Sequence, residues 1–313
     1  MNILVITTGG TIGSAFDGTS IDIKSSQSAA VVEMYRRDHS DADFTVQSPI
    51  SILSESITAE DFNTLARVIL CADYAPYDGV ILLSGSDNLG YIAPFVGLLT
   101  MDLAIPVTVV ATDRVLSDPL ANGYPNFCTA VRLIRRGVRG CYVPYRNADG
   151  VMYVHSATDI RQSDLSQEFY SFGGAYAIDD NDIILQKKYI QQRIPAVFDR
   201  DHLPSVSDSV LLIHPYPLLD YGTVSVSGKR AVLHTLYHSS TLDSDRAIAF
   251  MQRAGVPLYL ASFRSGKDRY RTAVDMISAG AIPLVDIAPE CAYVKLLLAC
   301  AQDKLSIDAF MGA

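Results

Sequence analysis

Three short stretches of the chain carry side chains suited to hydroxyl chemistry, and each follows an apolar run. Thr7-Thr8-Gly9-Gly10-Thr11-Ile12-Gly13 comes directly after Asn2-Ile3-Leu4-Val5-Ile6. Ser84-Gly85-Ser86-Asp87-Asn88 comes after Asp78-Gly79-Val80-Ile81-Leu82-Leu83. Ser54-Glu55-Ser56 closes the run from Pro49. A hydroxyl nucleophile needs a base, or surroundings that lower its pKa. Backbone amides in glycine turns can hold the oxyanion that forms when an acyl carbon is attacked. Asp87, beside a hydroxyl, could bind a substrate ammonium or orient a proton relay. Any one of these residues alone fits an ordinary turn; three such turns at strand ends argue for one shared crevice.

The elements that must position them are legible. Residues 2–6 and 78–83 read as buried parallel strands, because their apolar runs do not alternate. The first stops at Gly9-Gly10, where the backbone can take angles denied to other residues. Its threonines are then presented at the carboxyl end of the strand, where open α/β sheets place ligands. Ser14 to Ser28 reads as a loop able to fold over the site. Helices are expected from Ala29 to Arg37, from Thr58 to about Ala72 with Thr58 as N-cap, from after the Ser84–Asn88 turn through Leu99, and from about Gly123 to Arg136. Further strands are expected at 44–46, 106–111 and 140–143, with a hairpin over 145–153.

Beyond residue 208 the alternation restarts, with strands at 210–213, 230–233 and 257–261 and helices at about 243–254, 270–279 and 289–301. The expected fold class is α/β, with two doubly wound open-sheet domains. The larger N-terminal domain, 1–190, carries the site; 191–208 form a linker; 209–313 form the smaller C-terminal domain.

Composition narrows the function. A net charge of −9 disfavours a nucleic-acid partner, which wants a basic surface. No apolar run reaches the ~20 residues that span a bilayer, and residues 2–6 are too short for a signal-peptide core. The expected location is the cytoplasm, away from membranes. Five dispersed cysteines form no CxxC pair, so buried free thiols are expected rather than a disulfide frame or zinc site. The six histidines lack metal-ligand spacing, and no metal is expected. His155, on the hairpin, reads as a solvated surface residue, as do His214 and His238.

Thr8-Gly9-Gly10-Thr11-Ile12-Gly13 resembles the first signature of the bacterial-type L-asparaginases, two-domain amidohydrolases that include glutaminase-asparaginases. Ser84-Gly85-Ser86-Asp87-Asn88 is similar to their second signature, His-Gly-Thr-Asp-Thr. Arg114 followed by Gly123-Tyr124-Pro125-Asn126, and the terminal stretch from Gly280 to Gln302, extend the resemblance along the chain. It implies Thr11 as nucleophile and Ser86 in the place of the second threonine. It implies Asp87 and Glu55 on the substrate α-ammonium, and Ser54 on the α-carboxylate. The implied substrate is an amino acid bearing a side-chain amide, with L-asparagine first. The reaction would pass through an acyl-threonine, release ammonia and need no cofactor, in a homodimer or homotetramer. Ser239, Ser240 and Thr241 are then candidates to reach a neighbour's pocket.

The departures gather at the activating groups. The family pairs its second threonine with a lysine, yet this chain has no lysine between Lys24 and Lys187. The matching segment reads Ala157-Thr158-Asp159-Ile160-Arg161-Gln162-Ser163, and the guanidinium of Arg161 cannot accept a proton. Thr19 falls where the family carries a flap tyrosine, and Ser84 where it carries a histidine. A general base contributes ~10²–10⁴-fold in rate. One reading is therefore a weak or shifted amidohydrolase, with His155, Asp159 or Arg161 open to recruitment. Another is a non-catalytic relative binding an amino acid or a partner protein. A third is an amidotransferase-associated subunit, disfavoured by the acidic charge.

Overall fold

The computed structural model describes residues 1–9, 12, 14–16, 21–23, 30–51, 54–164, 166–178, 183–185, 203–264, 269–302 and 311. The chain divides into two compact units, Met1–Ile190 with Pro195–Leu203, and Gln191–Ile194 with Pro204–Ala313. Most of the expected linker, 191–202, lies outside the described residues, as do Thr11 and Thr19. Each unit holds a sheet with parallel strands and flanking helices.

In the first unit the elements are β1 (Asn2–Thr7), β2 (Ser14–Phe16), β3 (Ile21–Ile23), α1 (Ala30–Asp38), β4 (Asp43–Gln47), α2 (Ala59–Cys71) and β5 (Gly79–Leu83). Then come α3 (Leu89–Leu99), β6 (Pro106–Val110), α4 (Gly123–Arg135), β7 (Gly140–Arg146), β8 (Met152–Ser156), β9 (Tyr176–Ile178) and β10 (Ile183–Leu185). The sheet order is β10-β9-β8-β7-β6-β5-β1-β4. It is parallel from β4 to β7 and antiparallel from β7 to β10. β2 and β3 pair as a separate antiparallel hairpin, where the sequence pattern suggests an irregular loop.

The apolar runs do what their composition demands. β5 and β6 are buried at every residue and β1 at all but Asn2. β4, at the sheet edge, buries only Phe44 and keeps Asp43, Thr45, Val46 and Gln47 exposed, as an edge strand must to stay soluble. Ile3, Val5, Ile81, Leu83 and Val110 share a core with Val31, Val32 and Tyr35 of α1 and Phe127, Ala130, Val131 and Ile134 of α4. The alternate residues Leu4, Ile6, Val80 and Leu82 are equally buried and face the other side. There α2 and α3 pack against each other, with Phe62 and Phe95 edge to face at 4.8 Å.

One crossover has the uncommon hand. The β1–α1–β4 connection moves one way across the sheet and β6–α4–β7 moves the other, yet α1 and α4 lie on the same face. The two must differ in hand, although right-handed crossovers dominate.

The second unit contains β11 (Val210–Ile213), β12 (Ala231–Thr235), α5 (Ser244–Ala254), β13 (Leu258–Phe263), α6 (Arg271–Ser278), β14 (Ile282–Val285) and α7 (Pro289–Cys300). Its four strands are parallel and lie in chain order. Ala247 and Phe250 of α5 and Ala273 and Met276 of α6 share a core with Val232, Leu258 and Leu260. α5 is capped at both ends: Asp243 accepts from Arg246 N at 3.2 Å, and Gly255 takes a left-handed φ of 66°.

Candidate active site

The strand order reverses direction at β1. The chain leaves β1 for β4 on one side, then returns through α2 to β5 on the other. A crevice opens between the two diverging connections at the strands' carboxyl ends, the place where open α/β sheets bind ligands. A cavity of about 10 Å³ sits there, just under one water in size, lined by Thr8, Ser54, Asp61, Ser84, Gly85, Asn88 and neighbouring apolar side chains. The second unit, with strands in chain order, has no such switch point among its described residues.

Thr8 is buried, and both its N–H and its hydroxyl donate to the Leu83 carbonyl at 3.0 Å. Gly9 follows with φ 91°, a left-handed angle that ends the strand at little cost only for glycine. The Thr8 hydroxyl is thus committed to tying β1 to β5. Ser84 is also buried; its N–H donates to the Val110 carbonyl at 2.9 Å and its hydroxyl to the Gly85 carbonyl at 3.2 Å. Both are architectural.

Ser54 starts a short 3-10 turn, Ser54–Ser56, just before α2. The Thr58–Asp61 capping box fixes the entry to that helix, with the carboxylate of Asp61 also accepting from the Thr58 hydroxyl at 2.6 Å. Buried Ser54 donates through Oγ to Asp87 Oδ2 at 2.9 Å. Two residues 33 positions apart, one expected on the α-carboxylate and one on the α-ammonium, are therefore direct neighbours. Glu55 is exposed beside Ser54, and Ser86 half-buried beside Asp87. Of the five expected site residues, four stand at these two turns, and Thr11 lies outside the described residues.

Sequence reasoning missed two amides. Asn88 Nδ2 donates to the Ser54 carbonyl, binding the two turns together a second time. Gln162 Nε2 donates to the Asp87 carbonyl at 2.5 Å, and its Oε1 accepts from the Gly90 N–H at 3.0 Å. The signal for Asn88 was its place in the second signature; for Gln162 it was the segment already noted for lacking a lysine.

The other candidates fall elsewhere. His155 is buried, contrary to its reading as a solvated residue, because β7, β8 and the Ile160–Ser171 bridge enclose it. Its Nδ1 lies 2.8 Å from Ser171 Oγ, while Nε2 is buried with no hydrogen-bond partner. Burial drives its pKa down to about 3, so the ring is neutral at pH 7. Asp159 is buried and Arg161 exposed, while His214 and His238 are exposed as expected. The Arg114 to Asn126 segment pins β6 to β7: Asn122 and Asp113 exchange two bonds of 2.9 Å, and Asn126 spans Ala111 and Arg146.

Cys291 and Cys300 are buried, but Cys71 is exposed, a correction to the expectation of buried thiols. It falls at the solvent-facing end of α2, after the last buried pair, Ile69 and Leu70. Among the described residues no group of three or more His, Cys, Asp or Glu is arranged to hold a metal. No helix among them is long and apolar enough to cross a membrane.

An open α/β sheet with a switch-point crevice lined by hydroxyls, an amide and the Asp61 carboxylate, and bordered by Asp87, is the setting in which folds of this class hold small molecules. Residues 2–186 match the family profile described as Asparaginase, N-terminal, and the chain belongs to the asparaginase family. An L-asparaginase of Thermococcus kodakarensis is 29% identical over 147 residues, 46% of this chain and 44% of that protein. The match thus spans less than half of that relative's length. A glutamyl-tRNA(Gln) amidotransferase subunit of Pyrococcus horikoshii is 25% identical over 326 residues, covering 95% of this chain and 71% of its own. In fold, the chain is similar to the thermostable L-asparaginase structure from T. kodakarensis, with a TM-score of 0.78 and 20% identity over 100% of this chain and 96% of that one.

Proposed function

We propose that the protein is an asparaginase-type amidohydrolase that releases ammonia from the side-chain amide of an amino acid, L-asparagine first among them. The observation that carries this reading is the direct Ser54–Asp87 pair at the switch point. Ser54 donates from a hydroxyl, which suits an α-carboxylate; Asp87 accepts through a carboxylate, which suits an α-ammonium. In the proposed reaction the Thr11 hydroxyl attacks the side-chain amide carbon. The C–N bond breaks, the nitrogen takes up a proton and leaves as ammonia, and an ester on Thr11 remains. Water then cleaves that ester, giving aspartate and regenerating the hydroxyl. Ser86 stands beside Asp87 as the second hydroxyl, and Glu55 adds a second carboxylate for the ammonium. The proposed setting is a cytoplasmic homo-oligomer.

A second reading has a specific observation behind it. The segment that would supply the family's lysine supplies the neutral amide of Gln162 instead, and His155, a few residues earlier in the sequence, is buried and uncharged. On this reading the protein binds an acidic or amide amino acid without turning it over, or serves a partner protein, as the name of the P. horikoshii relative suggests.

Purified protein incubated with L-asparagine, L-glutamine and their D-forms separates the two. Ammonia release that disappears in Thr11→Ala supports the hydrolase. L-aspartate binding by calorimetry, with no ammonia from any of the four amides, supports the binding protein.

A further inference from the structure

Helix α3 begins without the cap that its own sequence offers. Asn88 holds the N-cap position, where an asparagine side chain ordinarily accepts from the N–H of the second or third helical residue. Here it makes no such bond. Its Nδ2 instead donates to the Ser54 carbonyl. The N–H left over is that of Gly90, and Gln162 takes it with Oε1 at 3.0 Å, reaching across 72 residues of sequence. The same Gln162 side chain donates from Nε2 to the Asp87 carbonyl at 2.5 Å.

The close approach of Gln162 is built into the backbone on both sides. A Cβ on Gly90 would fall 2.7 Å from both the Cα and the N of Gln162. Glycine interrupts the first turn of α3 at a cost of ~1 kcal/mol in helix propensity. The return is an amide from a distant loop seated directly on the helix start.

We propose that Gln162 is a positioning residue for the amino-acid site. With Gln162 on the Gly90 N–H, the Asn88 side chain is oriented so that Nδ2 tethers Ser54 and Oδ1 makes no cap bond. Asp87 is fixed at its carbonyl by Gln162 and at its carboxylate by Ser54, and Ser54 is fixed at its own carbonyl by Asn88. The three bonds make one closed arrangement whose key is the exchange of capping duty between Asn88 and Gln162. This rests on the reading of Ser54 and Asp87 as the grip on an amino acid.

The exchange predicts a specific non-additivity. Without the Gln162 amide, the Gly90 N–H draws Asn88 Oδ1 to the cap, and the turn of the side chain that this requires carries Nδ2 away from the Ser54 carbonyl. Gln162→Ala and Asn88→Ala therefore damage the same thing. Calorimetric titration of the full chain with L-aspartate should show each single variant binding about tenfold more weakly, the loss of about one hydrogen bond. The double variant should bind no more weakly than either single one. Amide exchange at Gly90 should stay slow in both single variants, each retaining one cap, and become fast only in the double variant.

Unchanged affinity in Gln162→Ala, or a hundredfold loss in the double variant, would overturn the positioning role while leaving the site reading intact. Wild-type protein that does not bind L-aspartate would overturn the site reading, and the positioning role with it. Fast Gly90 exchange in Gln162→Ala alone would show that Asn88 does not return to the cap, and would overturn the exchange.

Discussion

Ser54 Oγ and Asp87 Oδ2 stand 2.9 Å apart, so two groups proposed to hold the oppositely charged α-substituents of an amino acid are bonded to each other. A ligand that enters between them must offer both partners something better. An α-carboxylate accepts from Ser54 and an α-ammonium donates to Asp87, so a zwitterion replaces one bond with two charge-assisted ones. A simple amide lacking either charge cannot.

Asp87→Asn keeps the shape of the side chain and removes its charge. A hydrogen bond to a charged group is worth about 1.5–3 kcal/mol, so KM for L-asparagine, or Kd for L-aspartate, should rise about 10- to 100-fold. Ser54→Ala should act in the same direction. The double variant should fall short of the product of the two, because the residues share a bond. Kinetics of ammonia release or calorimetry reads all three.

Thr58→Ala should lower stability by about 1 kcal/mol, through loss of the capping box at the start of α2. For a unit of this size that corresponds to a fall in Tm of about 2–4 °C. Scanning calorimetry on the intact chain would show it. A fall in ligand affinity beyond the stability effect would mean that α2 transmits the damage to Ser54.

Gly90→Ala pits helix propensity, which favours alanine by ~1 kcal/mol, against a collision with the backbone of residue 162. Both nearest atoms at 2.7 Å belong to main chain, which cannot rotate away. The collision should win, with a net loss of about 1–2 kcal/mol, measured as a lower urea midpoint. A stabilised variant would show that the segment around Gln162 yields easily.

His155 makes stability depend on pH. Its folded pKa is depressed to about 3 while the unfolded value is about 6.5. Between these values the unfolded chain binds the proton and the folded chain does not, so stability falls as pH drops from about 6.5 toward 3. The slope from this group approaches ~1.4 kcal/mol per pH unit. His234, depressed by burial, pushes in the same direction. His155→Gln should flatten the change in urea midpoint between pH 6.5 and 4.5, leaving the share of His234 and of the carboxylates.

The fold was legible where burial is complete on both faces. Residues 2–6, 78–83 and 106–111 have few polar interruptions, and they became β1, β5 and β6 with ends displaced by a residue or so. Short strands were not legible. β9 and β10 have three residues each, too few for a period to show, and β14 carries Pro283 near its start. The two turns of the site were visible because hydroxyls and glycines mark strand ends locally. Gln162 and Asn88 were not singled out, since their partners lie 72–75 and 34 residues away. His155 misled because β8 is flanked by polar residues, while the groups that bury it come from a later segment through Ser171.

The position of β1 bears on how the protein must be made. It is the first of these strands to leave the ribosome, yet it is held between β4 and β5, and Thr8 waits 75 residues for its partner Leu83. At about 5–20 residues per second, those residues take about 4–15 s to synthesise. Throughout that interval Ile3, Leu4, Val5 and Ile6 lack the β5 neighbour, the state in which apolar strands pair with the wrong partner. In the second unit each new strand lands beside the one before it. The interval in which an apolar strand stands without its later neighbour therefore falls early in synthesis, on the same strand that leads into the proposed nucleophile.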